Sequence, residues 1–253
     1  MLALCVSLSK PHLRQPELVE GRAGFMLGPV ISVVIPTLNA AAYLPRALAP
    51  LVAGAASGLV KQVIVSDGGS SDETLAIADA AGCDIVRGAR GRGVQLIAGA
   101  AAAKADWLLF LHADTALAEA WLSDASRFIA TGDERAAAFT LAFDDDTFGA
   151  RWVAFWARQR AGILKLPYGD QGLLISKSLY NAVGGYRDLP LMEDIDIARR
   201  IGVRRLGILN ARAVTSADKY RRDGYAKRSW RNLTLAARYL MGADPAKLAK
   251  IYD

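Results

Sequence analysis

Three short acidic motifs close apolar, strand-like runs of this chain: Ser66-Asp67-Gly68-Gly69-Ser70, His112-Ala113-Asp114 and Glu193-Asp194. Open α/β sheets bind ligands beyond the carboxyl ends of their strands, and a diphosphate bound there calls for a divalent cation and basic groups. The pattern points to an enzyme that handles a nucleotide-activated sugar. Asp67 precedes two glycines, so a base or ribose could approach the backbone closely, and a uracil N–H suits its carboxylate. A turn aspartate that caps the next helix is the equally weighted alternative. His112 and Asp114 share one side of an extended segment, where Asp114 suits Mg²⁺ or Mn²⁺ and His112 adds a nitrogen ligand or bonds a phosphate. Taken singly, a strand-end aspartate is more often a helix cap and a lone histidine more often packed than coordinating.

Glu193, Asp194 and Asp196 fall within one helical turn. Compensation of the helix dipole accounts for at least one of them, and Asp194 reads as a general base toward a sugar or lipid hydroxyl. A nucleoside diphosphate leaves without an acid partner once its charge is neutralised. Arg87, Arg90 and Arg92, interleaved with Gly88, Gly91 and Gly93, offer guanidinium and backbone N–H groups to an anion. Lys219-Tyr220-Arg221-Arg222 is a second basic cluster able to close over a diphosphate. For both, a solvated basic patch is the competing reading.

Alternating patterns must position these groups. Strands are predicted at 30–36, 60–66, 83–86 and 107–111, with helices at 40–53, from 71 onward, and at 94–103. This alternation implies a parallel sheet with right-handed crossovers. Beyond it the rhythm turns α+β, with helices at 118–130, 148–163, 178–183 and 193–200, strands at 136–143, 168–176 and 203–209, and a terminal helix at 229–241. The expected fold class is α/β, a Rossmann-like, mainly parallel sheet flanked by helices. Its halves are a nucleotide-sugar-binding half at 30–116 and an acceptor and catalytic half at 117–226, with a C-terminal helix in 227–253.

With 253 residues, 53% of them apolar, the chain can bury one large α/β core. Residues 1–25 carry Pro11, Pro16 and scattered charges without a sustained period, and read as a poorly ordered extension; a chain begun at Met26 would hold the whole domain. A net charge of +6 suits anionic partners of several kinds. Nucleic acid fits poorly, because the basic residues lie beside acidic motifs and no recognised nucleic-acid motif is present. Two cysteines, Cys5 and Cys83, argue against a disulfide framework and for a reducing compartment. No apolar run approaches the roughly 18 to 20 residues of a membrane span. The expected location is the cytoplasm, with peripheral contact at the inner membrane face left open by two aromatic, basic segments. The first holds Trp152, Phe155 and Trp156 and the second Trp230, Leu233 and Tyr239. For both, an amphipathic helix packed on the sheet is the favoured reading, and the border of an acceptor groove or a membrane contact the alternative.

Taken in order, five motifs resemble the family 2 glycosyltransferases, inverting enzymes of the GT-A fold. They are Val34-Ile35-Pro36-Thr37-Leu38-Asn39, Asp67-Gly68-Gly69-Ser70-Ser71-Asp72, His112-Ala113-Asp114 at the Asp-X-Asp position, Gly169-Asp170-Gln171-Gly172, and Glu193-Asp194. The resemblance implies that Pro36, Thr37, Asn39 and Asp67 contact the nucleoside, that Asp114 holds the metal on the diphosphate, and that Asp194 is the base, with Glu193 beside it. Arg87 and the loop from Arg90 through Arg92 to Gln95 look like the donor-contacting segment, joined by Ala113, Lys219 and Arg222. Asp170, Gln171 and Trp156 fall on the acceptor side. His112 stands where the first acid of Asp-X-Asp is usual. A sugar-nucleotide nucleotidyltransferase would instead present a glycine-rich, lysine-bearing loop after the first strand, where this chain has Thr37-Leu38-Asn39-Ala40. A non-catalytic nucleotide-sugar-binding module would bind donor without turning it over.

Overall fold

The computed structural model describes residues 31–132 and 134–252, so the expectation for residues 1–25 lies outside the described residues. The first half alternates as its pattern predicts: β1 (Ile31–Thr37), α1 (Leu44–Ala56), β2 (Val60–Asp67), α2 (Thr74–Ala80), β3 (Asp84–Arg87), α3 (Arg92–Ala102) and β4 (Trp107–Phe110). These four strands are parallel, in the order β3-β2-β1-β4. Pro45 occupies the first turn of α1, where a missing N–H costs nothing. Along β1, Ile31, Val33 and Ile35 join one core cluster and Val34 the other, as strand alternation requires. Both faces are therefore covered, α1 and Trp121 lying on one and α3 on the other.

The second half continues with β5 (Thr115–Leu117), α4 (Trp121–Ile129), β6 (Ala136–Phe143) and α5 (Phe148–Gln159), which runs on as a π-helical turn over Arg160–Leu164. There follow a 3₁₀ turn at Gly169–Gln171, β7 (Leu173–Ser176), α6 (Lys177–Ala182), α7 (Glu193–Ile201), β8 (Leu206–Thr215), α8 (Asp218–Asp223), α9 (Tyr225–Leu240) and α10 (Pro245–Tyr252). The sheet extends from β4 through β7, β6 and β8 to β5, eight strands in all among the described residues. β7 is antiparallel to both β4 and β6, β6 is parallel to β8, and β5 is antiparallel to β8.

Several boundaries differ from the sequence pattern for identifiable reasons. The strand predicted from Tyr168 begins only at Leu173, because a 3₁₀ turn and Gly172 at φ +63° intervene. β8 starts three residues late, after the exposed Val203, and runs on to Thr215. The terminal segment is two helices rather than one. Gly224 at φ +86° opens α9 before the predicted start, and Gly242 at φ +95° interrupts the chain ahead of α10. β5, only three residues long, and α8 carry too little pattern to be predicted.

Reversal of strand direction sets up the site. β4 leaves the sheet at Phe110, which pairs with Leu173 at the start of the antiparallel β7. The segment 111–114 therefore exits exactly where 169–172 enters. Thr115 pairs with Thr215, so the end of β8 reaches the same edge and delivers Lys219 there. Phe139 lies fully buried at the middle of β6 beneath this edge. We expect Phe139→Ala to lower unfolding stability by about 3–5 kcal/mol, read from denaturant melts, through lost transfer energy and the cavity left behind.

Candidate active site

The two parallel strand ends β1 and β2 form a rigid shelf. Asp67, buried at the tip of β2, accepts hydrogen bonds from Thr37 Oγ1 at 3.0 Å, from Gly69 N and Ser70 N at 2.8 Å each, and from Ser70 Oγ at 2.5 Å. Burial by itself would favour the neutral acid, but these hydrogen bonds outweigh it and hold the carboxyl below its usual range. These bonds fix the orientation of the Asp67 carboxylate, which thereby shapes the shelf. Asn39, at φ +50°, accepts from Ser71 N, while Asp72 receives Ala41 N and Thr74 N. Gln95 is also buried, its Nε2 donating to Thr37 O and Ser66 O at 2.6 and 2.9 Å. Pro36 is half-buried beside this shelf, and Arg87 and Arg90 stand exposed at its rim.

Beyond the shelf lies a cavity of about 120 Å³ whose walls include Arg92, His112, Asp114, Asp170, Asp194, Lys219 and Arg228. Six stretches of chain thus bring their polar groups to one place. Ala113 packs inward against the core while His112 and Asp114 face the cavity. Asp114 precedes a strand rather than a helix, which removes the helix-cap reading. Its Oδ2 faces Lys219 Nζ at 3.8 Å. Gly169 is required by geometry: a Cβ there would stand 2.5 Å from His112 Nε2 and 3.6 Å from Asp194 Oδ2.

Of the three acids opening α7, two are spent on arginines. Glu193, buried, pairs with Arg92 Nε, and Asp196 with Arg200 at 2.5 Å. Burial raises the Glu193 carboxyl above its ordinary value, with Arg92 opposing the rise. Asp194 instead turns toward the cavity, its Oδ2 accepting Gly169 N at 2.8 Å and its Oδ1 accepting Ile195 N at 2.7 Å. Met192, just ahead, adopts φ +69°, an unusual left-handed conformation that turns the chain into α7. Burial and the nearby Arg92 cation push the His112 imidazole well below its ordinary value, so it is neutral at pH 7 with a lone pair to offer.

A model of glycosyl transferase family 2 matches residues 32–187. The chain belongs to that family. Over 108 residues it is 41% identical to proteins of Mycobacterium bovis and Mycobacterium tuberculosis named PGL/p-HBAD biosynthesis glycosyltransferase, a match covering 38% of this chain and 39% of theirs. The chain thus spans about two fifths of the length of these curated relatives. Among solved structures, glucosyl-3-phosphoglycerate synthase from Mycobacterium tuberculosis with Mn²⁺, uridine diphosphate and glucosyl-3-phosphoglycerate superposes at a TM-score of 0.53 and 23% identity, covering 74% of this chain and 71% of that one. The same enzyme with Mn²⁺, uridine-diphosphate-glucose and phosphoglyceric acid gives 0.53 at 24%, covering 72% and 70%. The fold is that of the GT-A glycosyltransferases.

Within this family 2 member, some predicted residues sit away from the cavity. Arg222 turns outward to Asp223 at 2.9 Å, and Gln171, fully buried, donates to Phe139 O and braces the 3₁₀ turn. Trp156 lies on the exposed side of α5. Other residues line the cavity without a sequence signal. Arg228, buried and paired with Asp223 at 2.7 Å, reads in sequence as one more basic residue of a helix. Tyr168 is covered by the Arg160 guanidinium, 3.3 Å above its ring. Asp170, expected on the acceptor side, does line the cavity: its Oδ1 is buried without a hydrogen-bond partner, and burial lifts the carboxyl to about 6, with Arg160 opposing and Asp194 and Asp114 adding to the rise.

A carboxyl whose folded value is raised binds its proton more tightly in the folded state, so its cost to stability appears as pH climbs from about 4 through about 6. Asp170→Asn should therefore melt like wild type near pH 4 and above it at pH 7. Melting curves across that range check this, and equal melting points at pH 7 would contradict it.

Proposed function

We propose that this protein is an inverting glycosyltransferase that moves a sugar from a nucleoside diphosphate sugar, uridine-type, to a hydroxyl acceptor with the help of Mg²⁺ or Mn²⁺. The observation that carries the reading is that Asp114 and Asp194, brought from opposite halves of the fold, wall one cavity together with Lys219. Family membership supports the reaction class, and the likeness to an enzyme solved with Mn²⁺ and uridine-diphosphate-glucose supports the donor and the ion.

The donor set suits an ion carried in by the diphosphate. Among the described residues no three His, Cys, Asp or Glu side chains are grouped to hold an ion unaided. Mg²⁺ and Mn²⁺ sites of this kind use one or two carboxylates and complete their shell from phosphate oxygens and water. Asp114 supplies a hard oxygen on the cavity wall, and the neutral His112 stands beside it. When bound, the ion would neutralise charge developing on the departing diphosphate.

The chain's own groups do the rest. Asp194 accepts the hydrogen bond of the acceptor hydroxyl and takes its proton as the oxygen's electron pair attacks the anomeric carbon. The bond from that carbon to the diphosphate oxygen breaks, its electron pair leaving with the nucleoside diphosphate. One displacement from the face opposite the leaving group inverts the anomeric configuration. Gly169 N–H fixes the Asp194 carboxylate, and the Lys219 cation on the cavity wall favours the anionic leaving group. The arginine-paired Glu193 positions Arg92 and thereby the start of α3.

We expect Asp194→Asn to lower kcat by roughly 10²–10⁴-fold while donor binding, measured by calorimetry, survives. Asp114→Ala should weaken metal-dependent donor binding tenfold or more. Wild-type turnover in both variants would overturn the assignment.

A further inference from the structure

An apolar groove of about 710 Å³ runs between α5 and α9 and borders the reaction cavity, the two sharing Tyr168, Asp170, Tyr220 and Asn232 as walls. Its size is that of a small-molecule site. Its sides are large hydrophobic residues left open to solvent: Trp156 at 54% exposure, Trp230 at 69%, Ile163 at 73% and Leu233 at 54%. Such a contiguous patch is costly unless it has an occupant. α5 already has its packed face, with Ala150, Val153 and Ala157 buried against Leu141 and Phe143, so the aromatic stripe is surplus to folding.

A second, independent observation lies at the inner end. Three buried oxygens there have no hydrogen-bond partner: Asp170 Oδ1, Ser229 Oγ and Asn232 Oδ1. All three residues line the groove, and buried polar atoms left bare in a native fold call for a polar partner. Hydrophobic walls ending in three bare acceptors, next to the carboxylate of Asp194, describe a molecule with an apolar body and a hydroxylated head.

We infer that the acceptor is a hydroxyl-bearing amphiphile, its alkyl or aryl body lying between α5 and α9 and its head at Asp170, Ser229 and Asn232. Calling this ligand the acceptor rests on the transferase reading; the binding itself does not. The walls shared with the cavity, and the unpaired polar groups set among them, favour this occupant over a bilayer surface or a second copy of the chain.

The test uses the full chain and alkyl glucosides of butyl, hexyl and octyl length below their micelle concentrations, followed by tryptophan fluorescence. Affinity should rise with length by up to about fourfold for each methylene buried. The double variant Trp230→Gln, Leu233→Gln alters two exposed side chains and should flatten that dependence, reducing the octyl-to-butyl affinity ratio at least tenfold. With a nucleotide sugar present, transfer rates should follow the same ratio. Equal affinity for butyl and octyl chains overturns the inference. So does a length dependence that the double variant keeps, binding confined to anionic phospholipid vesicles, or a dimer that buries the groove. Length-dependent binding without any turnover of a nucleotide sugar would count against the transferase reading and leave the groove assignment standing. Turnover of the donor without length dependence would do the reverse.

Discussion

The hydrogen bond from Gly169 N–H to the Asp194 carboxylate joins the turn before β7 to the start of α7, the two segments on which the site depends. It can form only because residue 169 has no side chain, since the space a Cβ would take is already filled by the His112 ring. His112, Gly169 and Asp194 therefore stand as one packed stack, drawn from the end of β4, the turn before β7 and the start of α7. Displacing any of the three moves the carboxylate relative to Asp114. The left-handed turn at Met192 and the Arg92–Glu193 pair hold the far side of the stack in the same way.

What places this stack at the sheet edge is the change from parallel to antiparallel pairing after β4. A fully parallel sheet would have sent the 169–172 turn to the opposite edge, away from His112 and Asp114. Because β7 runs backward, its beginning meets the end of β4, and β8 returns to the same edge with Lys219. The division of labour among the acids follows. Asp67, bonded within its own turn, stiffens the shelf; Glu193 and Asp196 are neutralised by arginines; Asp114 and Asp194 face the cavity, with the partly bare Asp170 on the wall that cavity and groove share.

Much of the fold was legible because its signals are local. Apolar runs ending at Pro36, Asp67 and His112, the first two of them rich in β-branched residues, marked parallel strands, and the alternation with helices implied their order of connection. Features set by tertiary pairing were not legible: nothing local distinguishes Leu173 as the start of an antiparallel strand from Tyr168, and three residues of β5 carry no period. The acidic motifs were visible as strand-end signals, yet only packing reveals which oxygens are already bonded, as Asp67 shows. The aromatic face of α5 was visible as a stripe. Its default reading, packing on the sheet, applies to the alanine face of the same helix, while the tryptophans turn the other way.

The central claim is that Asp114 and Asp194 serve one reaction centre. Its most direct test is a crystal structure of the protein grown with Mn²⁺ and uridine diphosphate, with the ion located by its anomalous scattering. The account predicts one ion in the cavity, bound by the Asp114 carboxylate and the diphosphate, with the Asp194 carboxylate facing the same open space. An ion bound elsewhere, or a diphosphate seated away from Asp114, would contradict it.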